Sequence, residues 1–411
     1  MPGVNRTTRT QLALSIASLL AAAALLALTV VISYRLLHGD EEGGGAASPL
    51  RSIAIVGGEE TVFDWSREAC EPRDIPDAPA RAFRDSSGRV QLIASHYINR
   101  REVGPDLDHL SHRCTVIMAS GYDPQPQAYD DRDWIASTYT LDGRTIYALV
   151  HEEYQGYNHP GACASGELLK CWYNAITFAR SDNAGRTYRR AAAPANLVAT
   201  APYRYEPDAG SYGLFTPSNI VRGRTDNHYY FLARVGAHGA QPYGACLLRT
   251  RDLADPASWR GWDGSAFGVR FIDPYRQDGV PADHTCAPGA RDQIDRMSMS
   301  LTWNTYIARY LLVGEAAGPS PGEIGIYYST STDLVHWSGR ELLRAVEAPW
   351  TFECGDRQPV TNPSVLDPAS GSRNFETTGR RPSLYFTRFH YSGCEQTLDR
   401  DLVRVRLQLS K

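Results

Sequence analysis

The chain predicts an all-β fold, on three observations. After Pro49 no long run of apolar residues recurs at helical spacing. The apolar residues instead form short β-branched and aromatic runs separated by Gly, Asp and Asn, which is the pattern of strands joined by turns. One unit of strand, tight turn and strand then recurs five times between residues 79 and 390. Repetition of such a unit is typical of a β-propeller, so the sequence predicts five blades.

Each unit has an inner strand, a turn and a second strand that ends in polar residues. The five strand pairs are PARAF with VQLIASHY, WIASTYT with TIYALVHEEY, TPSNIV with HYYFLARV, MSMSLTW with ARYLLVGEA, and NPSVLD with SLYFTRFH. The back half of the unit recurs in ITFARSDNAGRTYRR, CLLRTRDLADPASWRGW and IYYSTSTDLVHWSGR. These stretches predict a strand, an Asp or Asn turn, and a strand that begins with an aromatic residue.

Two of these turns resemble turns of known propellers. SDNAGRTY, from Ser181 to Tyr188, resembles the Asp box of sialidases, with Asn183 where the box has Asp. TDLVHW, from Thr332 to Trp337, resembles the corresponding turn of family 43 glycoside hydrolases. From about Arg73 onward, the blade layout resembles that of the five-bladed propeller glycosidases of families 32, 43, 68, 117 and 130. The resemblance implies a carbohydrate-active enzyme, but no catalytic signature of these families is matched.

The first fifty residues differ from the rest of the chain. No charged side chain occurs from Leu12 to Ser33, and these 22 residues would span roughly 33 Å as a helix, enough to cross a bilayer core. A cleavable signal peptide has a shorter apolar region, which favours an uncleaved anchor, although Ala46-Ala47-Ser48 offers a small-residue cleavage site. Basic residues precede the span and acidic residues follow it, so the positive-inside rule places the body outside the cytoplasm.

The chain therefore divides into three parts. Residues 1–38 are expected to form a cytoplasmic tip and a transmembrane signal-anchor, and residues 39–50, with the stretch DEEGGGAASP, a flexible linker. Residues 51–411 are expected to form the five-bladed β-propeller. The predicted fold is thus an all-β propeller preceded by a single N-terminal transmembrane helix, with the propeller in the periplasm or the extracellular space.

The cysteines indicate an oxidising compartment. There are eight, an even number, and an exported chain with that count is expected to contain disulfides. No CxxC pair occurs, and a short disulfide loop explains Cys163 and Cys171 better than a metal site with His159. Pairing in sequence order would give Cys70–Cys114, Cys163–Cys171, Cys246–Cys286 and Cys354–Cys394. Sequence alone leaves the other connectivities open.

Charge and motifs exclude several classes of function. The net charge of −4 gives no indication of nucleic-acid binding or of binding to anionic membranes through charge. No HExxH, P-loop or GxSxG motif occurs, which disfavours metalloproteases, NTPases and α/β-hydrolases. We predict no metal site and no cofactor. The expected partners are an oligo- or polysaccharide and, through the N-terminal helix, the membrane.

Blade topology sorts the polar residues onto two faces. Because strand direction alternates, the start of each inner strand and the end of the next strand share one face, and the turn between them lies on the other. Propeller ligands bind at the axis on the first face. Five acids belong to turns on the far face and receive no catalytic role: Asp85, Asp142, Asp182, Asp226 and Asp333.

Three carboxylates on the first face are the catalytic candidates. Glu153 is expected to act as general acid, Asp77 as base or nucleophile, and Glu315 as a third carboxylate that tunes the others, although these roles are interchangeable at the level of sequence. Adjacent strand residues point to opposite sides, so only one of Glu152 and Glu153 should face the axis. The predicted substrate-binding residues are Arg81, His96, Trp134, His151, Glu152, Tyr154, Asn219, Arg234, Asn362, Arg388 and His390.

Within this set the side chains suggest different contacts. Stacking on sugar faces is expected from Trp134, Tyr154 and Tyr157, and hydrogen bonds to hydroxyls from His96, His151, Arg234 and His390. A carboxylate clamp could be formed by Arg81, Arg234 and Arg388, since each guanidinium offers a bidentate fork. Salt bridges to the neighbouring acids are the simpler use of these arginines.

The sequence thus predicts an extracytoplasmic carbohydrate-active enzyme, a glycoside hydrolase with paired carboxylates in an axial propeller pocket. The alternative is a non-catalytic envelope propeller that binds glycan or protein, because this fold serves both purposes. Two carboxylates facing each other across a dead-ended pocket would favour the enzyme. A flat or open face with one carboxylate or none would favour the binding protein.

Overall fold

A computed structural model of the protein describes residues 50–318, 323–352, 354–355 and 358–411. The predicted transmembrane segment from Leu12 to Ser33 and almost all of the predicted linker lie outside these residues. Within them, no helix is both long enough and apolar enough to cross a membrane. The described part of the chain is built from strands and from helical segments of three or four residues, so the all-β prediction is confirmed.

The elements follow one another along the chain without a long helix. The strands are β1 (Ser52–Phe63), β2 (Arg81–Arg84), β3 (Val90–Ile93), β4 (Ile98–Gly104), β5 (Ser111–Ala119), β6 (Arg132–Thr140), β7 (Ile146–Gln155), β8 (Cys171–Ser181), β9 (Arg189–Arg190), β10 (Leu197–Thr200), β11 (Gly210–Pro217), β12 (Val221–Arg222), β13 (Tyr229–Gly236), β14 (Gly244–Thr250), β15 (Arg260–Gly261), β16 (Ser300–Asn304), β17 (Arg309–Ala317), β18 (Ile324–Ser331), β19 (Glu341–Val346), β20 (Val360–Leu366), β21 (Thr377–Thr378), β22 (Ser383–Ser392) and β23 (Glu395–Ser410). The helices are α1 (Trp65–Glu68), α2 (Arg291–Ile294) and the 3₁₀ turns Pro126–Ala128, Gly156–Asn158, Leu168–Lys170, Pro256–Ser258 and Pro281–His284.

The strands form five units, which we call blades 1 to 5. Their strand orders are β2-β3-β4-β5, β6-β7-β8 with β9 and β10 beside β8, β11-β13-β14-β15 with β12 beside β13, β19-β18-β17-β16-β21, and β20-β22-β23-β1. A short parallel pairing of β8 with β11 connects blades 2 and 3 into one continuous sheet. In every blade the predicted inner strand pairs in antiparallel fashion with the predicted second strand. The five strand pairs expected from the sequence are therefore confirmed.

The hydrophobic core lies between the blades and closes them into a ring. Each junction between consecutive blades has a hydrophobic cluster with buried side chains of both blades. Examples of shared members are Phe83 and Ile135, Leu149 and Phe231, Leu232 and Leu312, Val313 and Leu384, and Leu402 and Leu92. The last of these clusters joins blade 5 back to blade 1. Five blades that each pack on two neighbours, with inner strands around one axis, are the arrangement of a five-bladed β-propeller.

Strand β1 completes the last blade from the other end of the described chain. It pairs with β23 in antiparallel register, from Ser52 opposite Ser410 to Phe63 opposite Leu402. Blade 5 therefore consists of one early strand and three late strands, and the hydrogen bonds between them hold the ring closed. The repeat pattern did not reveal this pairing, because β1 precedes the first recognisable unit.

Arg81 lies at the axis, where the inner strands meet. Its buried guanidinium donates hydrogen bonds to the carbonyl oxygens of Ala136 on β6 (2.8 Å), Pro217 on β11 (3.2 Å) and Met299 just before β16 (2.5 Å). One side chain of blade 1 thus ties together blades 2, 3 and 4. This is a structural position, which differs from the substrate-binding role that we expected for Arg81.

The Asp and Asn turns have the structural role that their sequences predict. Asn183 Oδ1 accepts the backbone N–H of Thr187 (3.0 Å), and the Tyr188 side chain that follows is buried. Asp333 Oδ1 accepts the backbone N–H of His336 (2.8 Å), and the Trp337 side chain beyond it is buried too. In both turns a short polar side chain closes the loop and delivers an aromatic residue to the core.

The four disulfides join the cysteines in sequence order. The pairs are Cys70–Cys114, Cys163–Cys171, Cys246–Cys286 and Cys354–Cys394. The connectivity that we derived from order alone is therefore confirmed.

We expect the Cys246–Cys286 bridge to stabilise the fold more than the Cys163–Cys171 bridge. The first joins residues 40 positions apart and is buried in the core between blades 2 and 3, whereas the second joins residues 8 apart. Chain entropy alone makes the longer loop worth about 1 kcal/mol more. Urea unfolding of the two double Cys→Ala variants tests this expectation, and equal losses of unfolding free energy would contradict it.

Candidate active site

A cavity of about 650 Å³ lies over the axis and is lined by side chains from all five blades. The predicted residues that line it are Asp77, His96, Trp134, His151, Glu153, Tyr157, Arg234, Glu315 and Asn362. Most of them lie near starts of inner strands or ends of second strands, so the cavity opens on the face that the two-face argument selected. The three candidate carboxylates thus share one cavity, each from a different blade.

Asp77 lies on the approach to β2, and its backbone N–H donates to the carbonyl of Ala94 (2.9 Å), which fixes the segment against β3. Its carboxylate forms an ion pair with Arg400 and accepts a hydrogen bond from Trp134 Nε1 (3.2 Å). His96 Nε2 lies 3.7 Å from the same carboxylate. The Asp77 carboxylate is therefore paired with a permanent cation and accepts one hydrogen bond from an indole N–H.

Glu153 lies near the end of β7, and its side chain is nearly buried. Burial raises the pKa of its carboxyl to about 8, and the negative charge of Asp77 acts in the same direction. Gln155 Nε2 donates a hydrogen bond to Oε2 (2.7 Å), which offsets only part of this effect. At neutral pH the Glu153 carboxyl therefore holds its proton, as a general acid must.

His151 stands beside Glu153 as a neutral imidazole. Burial lowers its pKa to about 4. Its Nε2 lies 2.9 Å from Asn174 Oδ1, an acceptor, which assigns the proton to Nε2 and leaves Nδ1 as an acceptor. Nδ1 lies 3.2 Å from the Thr216 hydroxyl and 3.7 Å from Glu153 Oε1. His151 therefore supplies a polar edge to the cavity without a positive charge that would ionise Glu153.

Glu315 lies on β17, and contacts with blade 5 hold its side chain in place. Its Oε1 accepts hydrogen bonds from the Thr361 hydroxyl (2.6 Å) and from the backbone N–H of Asn362 (3.1 Å). Asn362 adopts a left-handed φ of 59°, which is part of how its N–H reaches the carboxyl. Burial raises the pKa of Glu315 to about 7 despite these bonds. Glu315 therefore titrates close to neutrality.

The glycine before Glu315 serves the neighbouring chain segment. A Cβ at Gly314 would lie 3.1 Å from the Cβ and 3.2 Å from the Cα of Met297, which precedes β16. The absence of a side chain thus lets the segment around Met297 pass close to β17. The close contact that this glycine allows is therefore with the protein itself.

Five arginines also line the cavity: Arg73, Arg132, Arg234, Arg296 and Arg400. Arg234 stacks its guanidinium 3.9 Å from the ring centre of Phe215, and burial lowers its pKa to about 10. Aromatic side chains complete the lining, among them Tyr97, Trp134, Trp172 and Trp350. The Trp350 side chain is 57% exposed, so it forms part of the rim.

Six predicted binding residues lie elsewhere. Arg81 lies at the axis, and Glu152 and Tyr154 are buried outside the cavity. Glu152 Oε1 accepts the backbone N–H of Asp131 (3.4 Å), and the Tyr154 hydroxyl donates to the carbonyl of Pro124 (3.0 Å). The remaining three residues form hydrogen bonds within the protein: Asn219 with the backbone of Leu301, Arg388 with Glu59, and His390 with Asp401. Alternation along β7 explains why Glu153 faces the cavity and Glu152 does not.

The structure also adds residues that the sequence argument missed. Arg296 lies just before β16, at a position that the two-face rule assigns to this face, but it was not among the predicted binding residues. Arg400 lies on β23 and Trp172 on β8, both third strands of their blades. The repeat of two strands does not track third strands, so it carries no signal for these two residues.

Comparison with known proteins adds structural likenesses only. No protein-family model and no curated protein matches the sequence. Similar solved structures include a family 117 glycoside hydrolase of Zobellia galactanivorans (TM-score 0.49, 10% identity, 88% of this chain and 91% of that one). Two others are a thermostable family-43 glycoside hydrolase (0.42, 11%, 82% and 93%) and an N-acetylgalactosamine deacetylase from F. plautii in complex with blood group B trisaccharide (0.49, 10%, 87% and 95%). All three TM-scores are below 0.5, so the function proposed below rests on the geometry of the cavity.

The raised pKa of Glu153 predicts how the stability of the fold depends on pH. The pKa of Glu153 in the folded protein is raised above its ordinary value of 4.5. The charge of this buried carboxyl therefore costs no unfolding free energy below pH 4.5, and the cost grows as the pH rises toward 8. We expect Glu153→Gln to be more stable than the wild type at pH 8, by on the order of a few kcal/mol. The difference should shrink at pH 5. Urea unfolding at both pH values measures it, and a difference that does not depend on pH would contradict the prediction.

Proposed function

We propose that the protein is an extracytoplasmic carbohydrate-active enzyme, a glycoside hydrolase whose reaction takes place in the axial cavity. The observation that carries the proposal is the contrast between two acids in one cavity. Asp77 is ion-paired with Arg400, whereas burial raises the pKa of Glu153 to about 8. A carboxylate and a carboxylic acid at the same pH are the two groups that hydrolysis of a glycosidic bond requires.

In this proposal each acid has a distinct role. Glu153 donates its proton to the glycosidic oxygen as the bond to the leaving sugar breaks. Asp77 acts on the opposite side of the bond, either as the nucleophile or as the base that activates water. Glu315, with a pKa near 7, modulates the charge of the site.

The remaining lining suits a sugar. Trp134 and Trp172 offer apolar faces on which the C–H face of a sugar ring can stack. His96 and His151, both with a pKa lowered to about 4 by burial, are neutral and can exchange hydrogen bonds with hydroxyls. Apolar walls with a few convergent polar groups are the usual lining of a small-molecule site.

The disulfides support a location outside the cytoplasm. Four disulfides and no free cysteine occur in the described residues, and such bonds persist in oxidising compartments. The apolar segment from Leu12 to Ser33 would, in this proposal, anchor the propeller to the membrane.

The test is a screen for cleavage. The protein is incubated with aryl glycosides and with bacterial and plant polysaccharides, and new reducing ends are measured. Release of reducing ends by the wild type, and its loss in Asp77→Asn, would support the hydrolase. A protein that binds glycans without cleaving any of them would be the non-catalytic propeller that the sequence left as the alternative.

A further inference from the structure

Two of the arginines that line the cavity have no polar partner among the residues that the structure describes. Arg234 lies on β13 of blade 3, and Arg296 lies just before β16 of blade 4. Within the described residues, neither side chain makes a hydrogen bond or an ion pair of 4.0 Å or less. Their neighbours differ in this respect, since Arg400 pairs with Asp77 and Arg132 pairs with Asp131. The N–H groups of two guanidinium ions are therefore left for something that enters the cavity.

This arrangement has an electrostatic cost. Burial is the main cause that lowers the pKa of Arg234, and the charge of Arg296 lowers it further, so the two cations repel each other. The acids whose charge acts on Arg234 are Glu315 and Glu153. Their pKa values of about 7 and about 8 leave both carboxyls largely protonated below neutral pH. The cavity thus holds positive charge that its own acids do not fully balance.

The Arg234 guanidinium is also held in place before any ligand arrives, and the backbone that carries Arg296 is constrained. The face of Arg234 rests on the ring of Phe215, 3.9 Å from its centre. Arg296 follows Asp295, whose φ of 50° is left-handed, and precedes Met297, which packs closely against Gly314. Fixed donors lose little conformational entropy on binding, and a planar guanidinium fork matches the oxygen atoms of a carboxylate, sulfate or phosphate.

We propose that the cavity binds an acidic glycan, in which Arg234 and Arg296 together bind an anionic group on the sugar at the site. The proposal rests on the proposed function only in taking the ligand to be a carbohydrate. The shared chemistry is an oxyanion attached to a sugar ring, and a uronate, a sulfated sugar and a phosphorylated sugar are its three possible sources.

The test compares each acidic polysaccharide with its own uncharged form. Polygalacturonate and alginate are paired with their carboxyl-reduced products, chondroitin sulfate with desulfated chondroitin whose carboxyls are also reduced, and a phosphomannan with its dephosphorylated product. Binding of the full-length protein is measured by affinity electrophoresis at constant ionic strength. We expect at least one acidic polymer to bind tenfold or more tightly than its uncharged form, because charge-assisted hydrogen bonds to two arginines are lost with the anion.

Three variants assign the effect to the two arginines. Arg234→Gln and Arg296→Gln should each reduce binding of the acidic polymer about tenfold or more, and by a clearly larger factor than they reduce binding of the uncharged form. Arg180→Gln is the matched control, because it removes one positive charge from an exposed Arg180–Asp182 pair outside the cavity. Melting temperatures confirm folding, and Arg296→Gln stands alone as the test if the buried Arg234 position does not tolerate substitution.

The proposal is overturned if no acidic polymer is preferred, or if Arg180→Gln weakens binding as much as the cavity variants do. Its failure is distinguishable from that of the proposed function. Cleavage of neutral glycans without any preference for acidic ones would uphold the hydrolase and reject the acidic ligand. Binding of an acidic polymer through Arg234 and Arg296 without any cleavage would uphold the acidic ligand and reject the hydrolase.

Discussion

Glu153→Gln is expected to lower turnover of the glycan substrate by about 10²–10⁴-fold, because an amide keeps the size of the side chain but cannot deliver a proton. Binding should change much less, since Gln can still exchange hydrogen bonds with Gln155, the neighbour that contacts Glu153 Oε2. The measurement is kcat for purified wild type and variant on the substrate found in the screen, together with the Kd of each for the same glycan.

Two acids provide matched controls for this experiment. Glu152 is the next residue on β7, but its buried side chain lies outside the cavity, so Glu152→Gln should leave kcat within a few-fold of the wild type. Asp142 belongs to the exposed turn between β6 and β7, where it accepts the N–H of Arg144 (2.8 Å), and Asp142→Asn should also retain activity. Equal damage from Glu152→Gln and Glu153→Gln would reject Glu153 as the acid.

The pH profile supplies a second readout of the same residue. Glu153 is protonated below its pKa of about 8 and loses its proton above it, so the wild-type kcat/KM should fall as the pH rises through that value. Activity limited by an acid of ordinary pKa would decline well below pH 7 instead. The position of the alkaline limb therefore distinguishes Glu153 from an exposed carboxyl in the same role.

Arg81→Met is expected to destabilise the propeller by at least about 3 kcal/mol. The substitution removes donors from three carbonyls, those of Ala136, Pro217 and Met299, and each buried acceptor left without a partner costs about 1–3 kcal/mol. Blades 2, 3 and 4 lose their common contact with blade 1 at the same time. Urea unfolding followed by tryptophan fluorescence measures the loss.

Arg81→Lys separates the charge of this residue from its geometry. A lysine keeps the positive charge but cannot reproduce the fork of donors. The free energy of unfolding of Arg81→Lys should therefore lie between those of the wild type and Arg81→Met. Arg180→Met, in an exposed ion pair, should cost less than about 1 kcal/mol. A loss at Arg81→Met no larger than at Arg180→Met would show that the axial hydrogen bonds do not stabilise the fold.

The local elements of this protein follow from the sequence because short-range rules determine them. Strand pairs joined by Asp, Asn and Gly turns were readable in all five blades, since each unit carries its own turn and its own apolar run. Alternation along β7 was enough to place Glu152 and Glu153 on opposite sides. Export and an even number of cysteines were enough to expect the four disulfides.

The composition of the cavity depends on contacts that span the whole chain. The two-face rule identifies the correct end of a strand but not the distance of a side chain from the axis. Arg81 therefore became a structural centre instead of a ligand contact, and Arg388 pairs with Glu59, which lies 329 residues away on the strand that completes blade 5. Neither partner has a sequence signal, because closure of the ring brings them together.

The chemistry of the acids was likewise decided by the tertiary structure. Sequence proposed Asp77 and Glu153 as a pair but gave no reason for them to hold different charges. Arg400 from β23 supplies the cation for Asp77, 323 residues distant, and the walls of several blades bury Glu153 and raise its pKa. The sequence by itself determined the blades, the turns and the face that carries the cavity, because these depend on neighbours in the chain. Only the closed ring decided which of these acids is ion-paired and which is buried, because charge and burial depend on neighbours in space.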